Sequence, residues 1–196
     1  MIDQRHAVVT GGTGALGSAV VGRLLADGVR CHVTYVDERE LRGYAHTQAV
    51  DLQRVDVFDE AAVQAFYAAL PQLDASVHLV GGFAMKSIAD TTLADFERML
   101  KLNAGSAFLC SREAIGRMRG RGGRIVNVAA RPALVPTAGM IAYATSKAAV
   151  AALTQALSAE VAAEGIFVNA VVPSTMDTPA NRRSMPDADF ARWPKV

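Results

Sequence analysis

The sequence predicts a single α/β domain over residues 1–196, a doubly wound parallel sheet covered by helices on both faces. Three observations predict it. Short β-rich runs alternate with longer segments of helical period. The strand runs are almost wholly apolar, as strands buried on both faces must be. Gly28, Pro71 and Gly165 fall at the ends of helical segments, and Pro173 ends a strand.

In chain order, "HAVVT" (6–10) reads as a buried strand. "ALGSAVVGRLLADG" follows, with Leu16, Val20 and Leu24 spaced by four and Gly28 placed to end a helix. "CHVTYV" (31–36) is a second strand, and "AVDLQRVDV" (49–57) contains a third. Asp59 is placed to cap a helix over "EAAVQAFYAAL" (60–70), and Pro71 follows it. "ASVHLVGG" (75–82) is the next strand, and residues 91–118 carry one or two helices. "GRIVNVAA" (123–130) is a strand. Residues 140–165 form a long Ala-rich helix ending at Gly165, and "IFVNAVVP" (166–173) is a strand stopped by proline.

Twenty basic residues against nineteen acidic ones leave a formal net charge of +1, which argues against a nucleic-acid footprint. The one dense basic run, "RMRGRGGR" (117–124), reads as a solvated helix end and loop. Cys31 and Cys110 each stand alone in apolar context and read as small core residues, and no Cys/His spacing suits a metal site. The N-terminus lacks the apolar run of a signal peptide, and no stretch suits a membrane span. The expectation is a cytoplasmic protein acting on a small molecule, without a nucleic-acid or membrane partner.

The loop "TGGTGALG" (10–17) joins the first strand to the first helix, with Gly11, Gly14 and Gly17 three apart. Close backbone approach to a pyrophosphate leaves no room for Cβ atoms, and the helix N-terminus offers free N–H groups. The placement is that of a Rossmann-like dinucleotide site. Asp37 lies 20 residues past Gly17, where a carboxylate often binds ribose hydroxyls. That acidic tip favours NAD(H), whereas the adjacent Arg39 suits the extra phosphate of NADP(H); "DERELR" also reads as a plain solvated loop. The cofactor is NAD(H) or NADP(H).

In "YATSK", Tyr143 and Lys147 are one helical turn apart on one helix face. A free phenol titrates near 10, and a neighbouring ammonium favours its ionised form, so the pair predicts a lowered Tyr143 pKa. Singly, Tyr143 could be a core tyrosine, Lys147 a surface lysine and Asn103 a helix cap. Together with "TGGTGALG", Asn103 in "KLNAG", "GRIVNV" and "VVPSTMDTP" in this order, they resemble the short-chain dehydrogenase/reductases over essentially the whole chain.

That resemblance implies Tyr143 as general acid, Lys147 as its modulator and a ribose contact, and Asn103 as the residue that bends its helix and helps hold a relay water. It implies cofactor contacts from Gly11, Thr13, Gly14, Leu16 and Gly17 in the first loop, and from Tyr35 and Asp37 after the second strand. Further contacts would come from Asp56 and Val57 at the adenine, from Gly81 and Gly82, and from Pro173, Thr175 and Thr178 at the nicotinamide. Residues 175–193 would form a helix–loop substrate lid, in which Arg182 and Arg183 read as solvated. A homo-oligomer, dimer or tetramer, is also implied, with the Ala-rich helix as a candidate face.

Several departures stand out. The serine that the family carries 13 positions before the tyrosine is Ala130 here. The usual Asn-Ala-Gly after the fourth strand is "VGGFA", and "PG" after the sixth strand is Pro173-Ser174. The sequence stops at Val196, where the family continues with another helix and strand, so these are expected to be missing. The departures most resemble the dihydropteridine reductases, whose quinonoid substrate is less dependent on a single oxyanion donor. The expected reaction is hydride transfer to a small carbonyl or quinonoid substrate. Alternatives are a 3-oxoacyl or carbonyl reductase, a sugar-nucleotide epimerase, or a dinucleotide-binding sensor without chemistry. Thr137 is a candidate replacement for the missing hydroxyl.

Overall fold

The computed structural model describes residues 4–135 and 137–196. Six parallel strands form one sheet: β1 (His6–Thr10), β2 (Arg30–Tyr35), β3 (Asp51–Arg54), β4 (Ala75–His78), β5 (Gly123–Val128) and β6 (Ile166–Val171). Their order is β3-β2-β1-β4-β5-β6. The chain runs outward from β1 to β3, then returns and builds the other half from β4. The order therefore reverses between β1 and β4, and ligands of such sheets sit at that switch.

The helices are α1 (Ala15–Ala26), α2 (Glu60–Ala68), α3 (Leu93–Leu100), α4 (Ser106–Met118), α5 (Ile141–Val161) and α6 (Pro179–Ser184). Every predicted strand and long helix is present, with β4, β5 and β6 each ending before the expected bound. β4 ends at His78, because Leu79 to Gly82 turn away as the loop that carries the site. Asp59 caps α2 as expected, accepting from the backbone N–H groups of Ala61 and Ala62. Gly28 and Gly165 close their helices at φ 74° and 73°, a left-handed conformation open to glycine.

Consecutive residues of β1 show why its sequence is apolar throughout. Val8 packs with Phe66, Tyr67, Cys110 and Met118 on the α2/α4 face, whereas Val9 packs with Val21, Cys31 and Val33 on the α1 face. Both faces are core, so alternation with polar residues is not tolerated. Both cysteines lie in these clusters, as expected, and burial pushes their thiols up to about 11 and about 12. In α1 the buried stripe runs through Gly17 and Val21, with Val20, Leu24 and Leu25 at its flanks, one step round from the spacing the sequence suggests. Glycine at 17 brings the helix so close to the first loop that this face is the one covered.

A polar chain crosses the core. The Tyr67 hydroxyl, Ser76 Oγ and His78 Nε2 are mutually bonded (2.9 and 2.8 Å along the chain), and His78 Nδ1 lies 2.8 Å from Asn127 Oδ1. Asn127 Nδ2 donates to Thr154 Oγ1 on α5 at 3.0 Å. Satisfied in this way, five polar side chains are buried without large desolvation cost and tie α2, β4, β5 and α5 into one register. Among the described residues no helix is long and apolar enough to cross a membrane.

Candidate active site

The first loop forms a cradle. Gly11 has φ 68°, and its carbonyl accepts from Gly14 N at 3.1 Å. A Cβ on Gly17 would stand 2.2 Å from the Gly11 oxygen and 2.6 Å from Gly12 Cα, so only glycine allows loop and helix to meet. Gly14 sits at the N-terminus of α1 without a side-chain cap, and the first turn holds no acidic residue. The free N–H groups and the positive helix end are thus left for an anion. Above this cradle is a cleft of about 440 Å³ bounded by Gly11, Gly14, Leu16 and Gly17 on one side and by Met176, Thr178 and Arg183 on the other. The residues present fit a dinucleotide: a glycine cradle for its pyrophosphate, with room above it.

The adenosine end is more acidic than Asp37 alone suggested. Thr13, an expected cofactor contact, donates its hydroxyl to Glu40 Oε2 at 2.6 Å. Glu40 Oε1 also accepts from the backbone N–H groups of Val36 and Asp37. Burial raises the Glu40 pKa, but these three donors outweigh it and hold the carboxylate below its ordinary range. Glu40 thereby joins the glycine loop to the end of β2, a role sequence reasoning missed; its place as the fourth member of a capping box on Asp37 was the available signal. Asp37 is bound by Arg39 through side chain and backbone, which holds it down to about 2. Tyr35 donates to Glu38 at 3.2 Å. The Asp56 carboxylate accepts from Phe58 N at 2.9 Å within its own turn. Val57 is 2% exposed and packs in the α2/α4 core.

The residues expected to be catalytic come from the turn between α3 and α4, which holds Asn103, and from α5, which holds Tyr143 and Lys147. Between α3 and α4 the helix widens into one π turn, Lys101–Gly105, centred on Asn103. The extra residue of a π turn swings one side chain out of the helical ladder, and such turns gather at functional sites. This is the expected bend. Asn103 is 1% exposed; its Oδ1 accepts from Gly82 N at 3.1 Å, and its Nδ2 lies 3.1 Å from Gly82 O and 2.9 Å from Ser146 Oγ. A Cβ on Gly81 would stand 2.5 Å from Asn103 Oδ1 and 3.3 Å from Lys147 Nζ. The glycines of "VGGFA" therefore give Asn103 and Lys147 their space.

Lys147, on α5, is 7% exposed and donates from Nζ to Val128 O at 2.8 Å, at the carboxyl end of β5. Burial without a nearby carboxylate lowers its pKa to about 8. Tyr143 lies one turn earlier, and burial pushes its phenol above the ordinary value. The direction is opposite to the lowered value expected from the pair: burial of the phenol is its cause, and the Lys147 Nζ is bonded to the Val128 carbonyl. A raised value keeps the proton on Tyr143 at neutral pH, the state a proton donor needs. Ser146 links the two helices, donating to Tyr143 O at 2.7 Å while accepting from Asn103. It was missed in the sequence, because a serine between tyrosine and lysine carries no distinguishing pattern.

Ala130 is 4% exposed and brings no hydroxyl to the site. The Thr137 hydroxyl is engaged elsewhere, donating to Val135 O at 3.1 Å in its own loop. Thr178 is buried and caps α6, accepting from Asn181 N at 3.2 Å, and it lines the cleft. Pro173 accepts from Arg131 N at 3.0 Å, and Thr175 is exposed outside the cleft lining.

A glycine cradle at the switch point of a parallel sheet, in one domain with buried Asn103 and Lys147 and half-buried Tyr143, defines a nicotinamide-dinucleotide-dependent oxidoreductase. The chain belongs to the short-chain dehydrogenase/reductase family: the short chain dehydrogenase pattern matches residues 5–189. It is 32% identical to a 3β-hydroxysteroid dehydrogenase of Mediterraneibacter gnavus, over 94% of this chain and 71% of that protein. It is 34% identical to ketoacyl reductase 1 of the granaticin polyketide synthase of Streptomyces violaceoruber, over 90% of this chain and 70% of that protein. Its fold superposes on a variant of the actinorhodin polyketide ketoreductase with NADPH at TM-score 0.86 and 28% identity, covering 94% and 77% of the two chains. These relatives are of the hydroxysteroid dehydrogenase and ketoreductase type, so the narrower likeness to dihydropteridine reductases is not the one they carry.

Proposed function

We propose that the chain is an NAD(P)H-dependent carbonyl reductase, or the reverse secondary-alcohol dehydrogenase, acting on an apolar ring-bearing substrate. The observation that carries the substrate class is the setting of Tyr143. The Phe83 ring packs edge-to-face on it at 5.0 Å yet is 56% exposed. Met85 and Ile141, each two positions along the chain from one of this pair, are also exposed, at 62% and 41%. An aromatic face beside the proton donor suits a flat apolar ring better than a short polar chain. The hydroxysteroid and polyketide substrates named for the relatives support the same class.

The bound cofactor supplies a hydride to the carbonyl carbon. Tyr143 donates its phenolic proton to the carbonyl oxygen as negative charge develops there, which balances the step as an alcohol. Lys147 then lies one turn away to favour the resulting phenolate until it is reprotonated. The Asn103–Ser146 bond holds α5 against the π turn, so the phenol stays aimed during the transfer. Asp37 and Glu40 place two carboxylates at the ribose end while Arg39 is committed to Asp37. That charge favours NADH over NADPH, whose additional phosphate would meet them.

Ala130 supports a second reading, a quinonoid dihydropterin as acceptor, because charge spread over a conjugated ring needs one fixed oxyanion donor less than a ketone does. The test follows oxidation of NADH and NADPH by the purified protein with a fused-ring ketone and with a quinonoid dihydropterin, alongside Tyr143→Phe. Turnover of the ketone with NADH, reduced by about 10²-fold or more in the variant, is the expected result. Turnover of the dihydropterin alone selects the second reading. Cofactor binding without turnover of either defeats both.

A further inference from the structure

Residues 177–195 form a closed loop with a single clasp. Asp177, whose side chain is 6% exposed, receives Arg182 Nε at 2.6 Å and Nη2 at 2.8 Å, and also pairs with Lys195. The backbone closes at the same point, Asp177 N donating to Pro194 O at 2.8 Å. Arg182 lies over the Phe190 ring at 4.8 Å, and Phe190 packs on Trp193 at 5.0 Å. Asn181 Nδ2 donates to Met176 O at 2.8 Å. The short helix α6 is therefore fixed on several sides, and Arg183 follows Arg182 within it.

Arg183 differs from its neighbour in every respect. Among the described residues it has neither hydrogen bond nor ion pair, and it lines the cleft over the glycine cradle. It is the one charged residue among those that line that cleft. The cradle itself offers N–H groups and a helix end but no full positive charge. A pyrophosphate brings two negative charges, and a guanidinium meets phosphate oxygens with two parallel N–H donors. We infer that Arg183 is a positioning residue for the cofactor's pyrophosphate, reaching it from the lid while the glycine loop holds it from below. The inference replaces the solvated reading of Arg183 and rests on the dinucleotide site described above. It would also couple lid to cofactor, because Arg183 sits in the segment expected to serve as the substrate lid.

The test is a charge series, Arg183→Lys, Arg183→Ala and Arg183→Glu. Dissociation constants are measured for NADH and for ADP-ribose, which lacks the nicotinamide, at low salt and at 1 M salt. Affinity for both ligands is expected to fall in the order Arg, Lys, Ala, Glu, by about tenfold between Arg and Ala at low salt. The differences should shrink at 1 M salt, where the screening length is about 3 Å. Values within twofold of wild type across the series overturn the inference, as does a uniform loss that ignores charge and salt, since that marks a merely structural role. Failure of the wild-type protein to bind either ligand would instead overturn the dinucleotide site itself, so the two failures are distinct.

Discussion

Asn103 Nδ2 and Ser146 Oγ lie 2.9 Å apart across the floor of the site, and this bond joins the π turn to the helix that carries Tyr143 and Lys147. Both groups are buried, at 1% and 0% exposure. Breaking the bond removes the shortest of three acceptors around the Asn103 amide, leaving Gly82 O and Met99 O, and frees α5 to shift. Ser146→Ala is expected to cost about 1–2 kcal/mol in urea denaturation. Turnover should drop by about tenfold through kcat, because a displaced phenol is lost to the transition state. A fall confined to KM would argue that Ser146 shapes binding instead of aim.

The missing hydroxyl should be restorable. Ala130 is buried at the position where the family carries serine, and its extended backbone (φ −162°, ψ 156°) accepts any residue. Ala130→Ser adds one atom and a donor. Turnover of a fused-ring ketone should rise by about tenfold or more, toward the worth of a positioned oxyanion donor. An unchanged or lower rate would mean that the carbonyl oxygen lies elsewhere.

Lys147 makes stability rise with pH in the alkaline range. Its pKa is about 8 in the folded protein and the ordinary value for an unfolded chain is near 10.4, so between these the unfolded chain binds the extra proton. The destabilising charge is fully present below about 8 and vanishes above the unfolded value. Wild type should gain up to about 3 kcal/mol relative to Lys147→Met between pH 7.5 and 10.5, read as the difference of urea midpoints. Parallel pH profiles for the two proteins would contradict the buried, unpaired ammonium.

His78 acts at the other end of the scale. Desolvation lowers its pKa to about 4, with the Asn127 bond opposing that shift. The unfolded imidazole takes a proton near 6.5, which the folded one declines until about 4. Stability is therefore lost as pH falls through that window, by up to about 3 kcal/mol. His78→Gln lowers stability at pH 7 by breaking the chain to Tyr67 and Thr154, but should flatten this part of the acid slope. Equal slopes in both proteins would show that carboxylates alone carry it.

The alternation of strand and helix, the apolar strands and the spacing of Gly11, Gly14 and Gly17 were legible because each is a local demand. Twist, burial and Cβ clearance constrain residue types wherever they occur along the chain. Tyr143, Lys147 and Asn103 were legible as residues for a related reason: their order and spacing carry the chemistry. The chain by itself thus determined an α/β dinucleotide fold, its glycine loop and the spacing of Asn103, Tyr143 and Lys147. Tertiary structure alone decided the rest, because those properties belong to pairs of distant residues. Glu40 meets Thr13 across 27 positions, Ser146 meets Asn103 across 43, and the core side of Val57 depends on which face α2 covers. The direction of the Tyr143 shift follows from how much water packing removes around the phenol. No spacing along a chain records that burial.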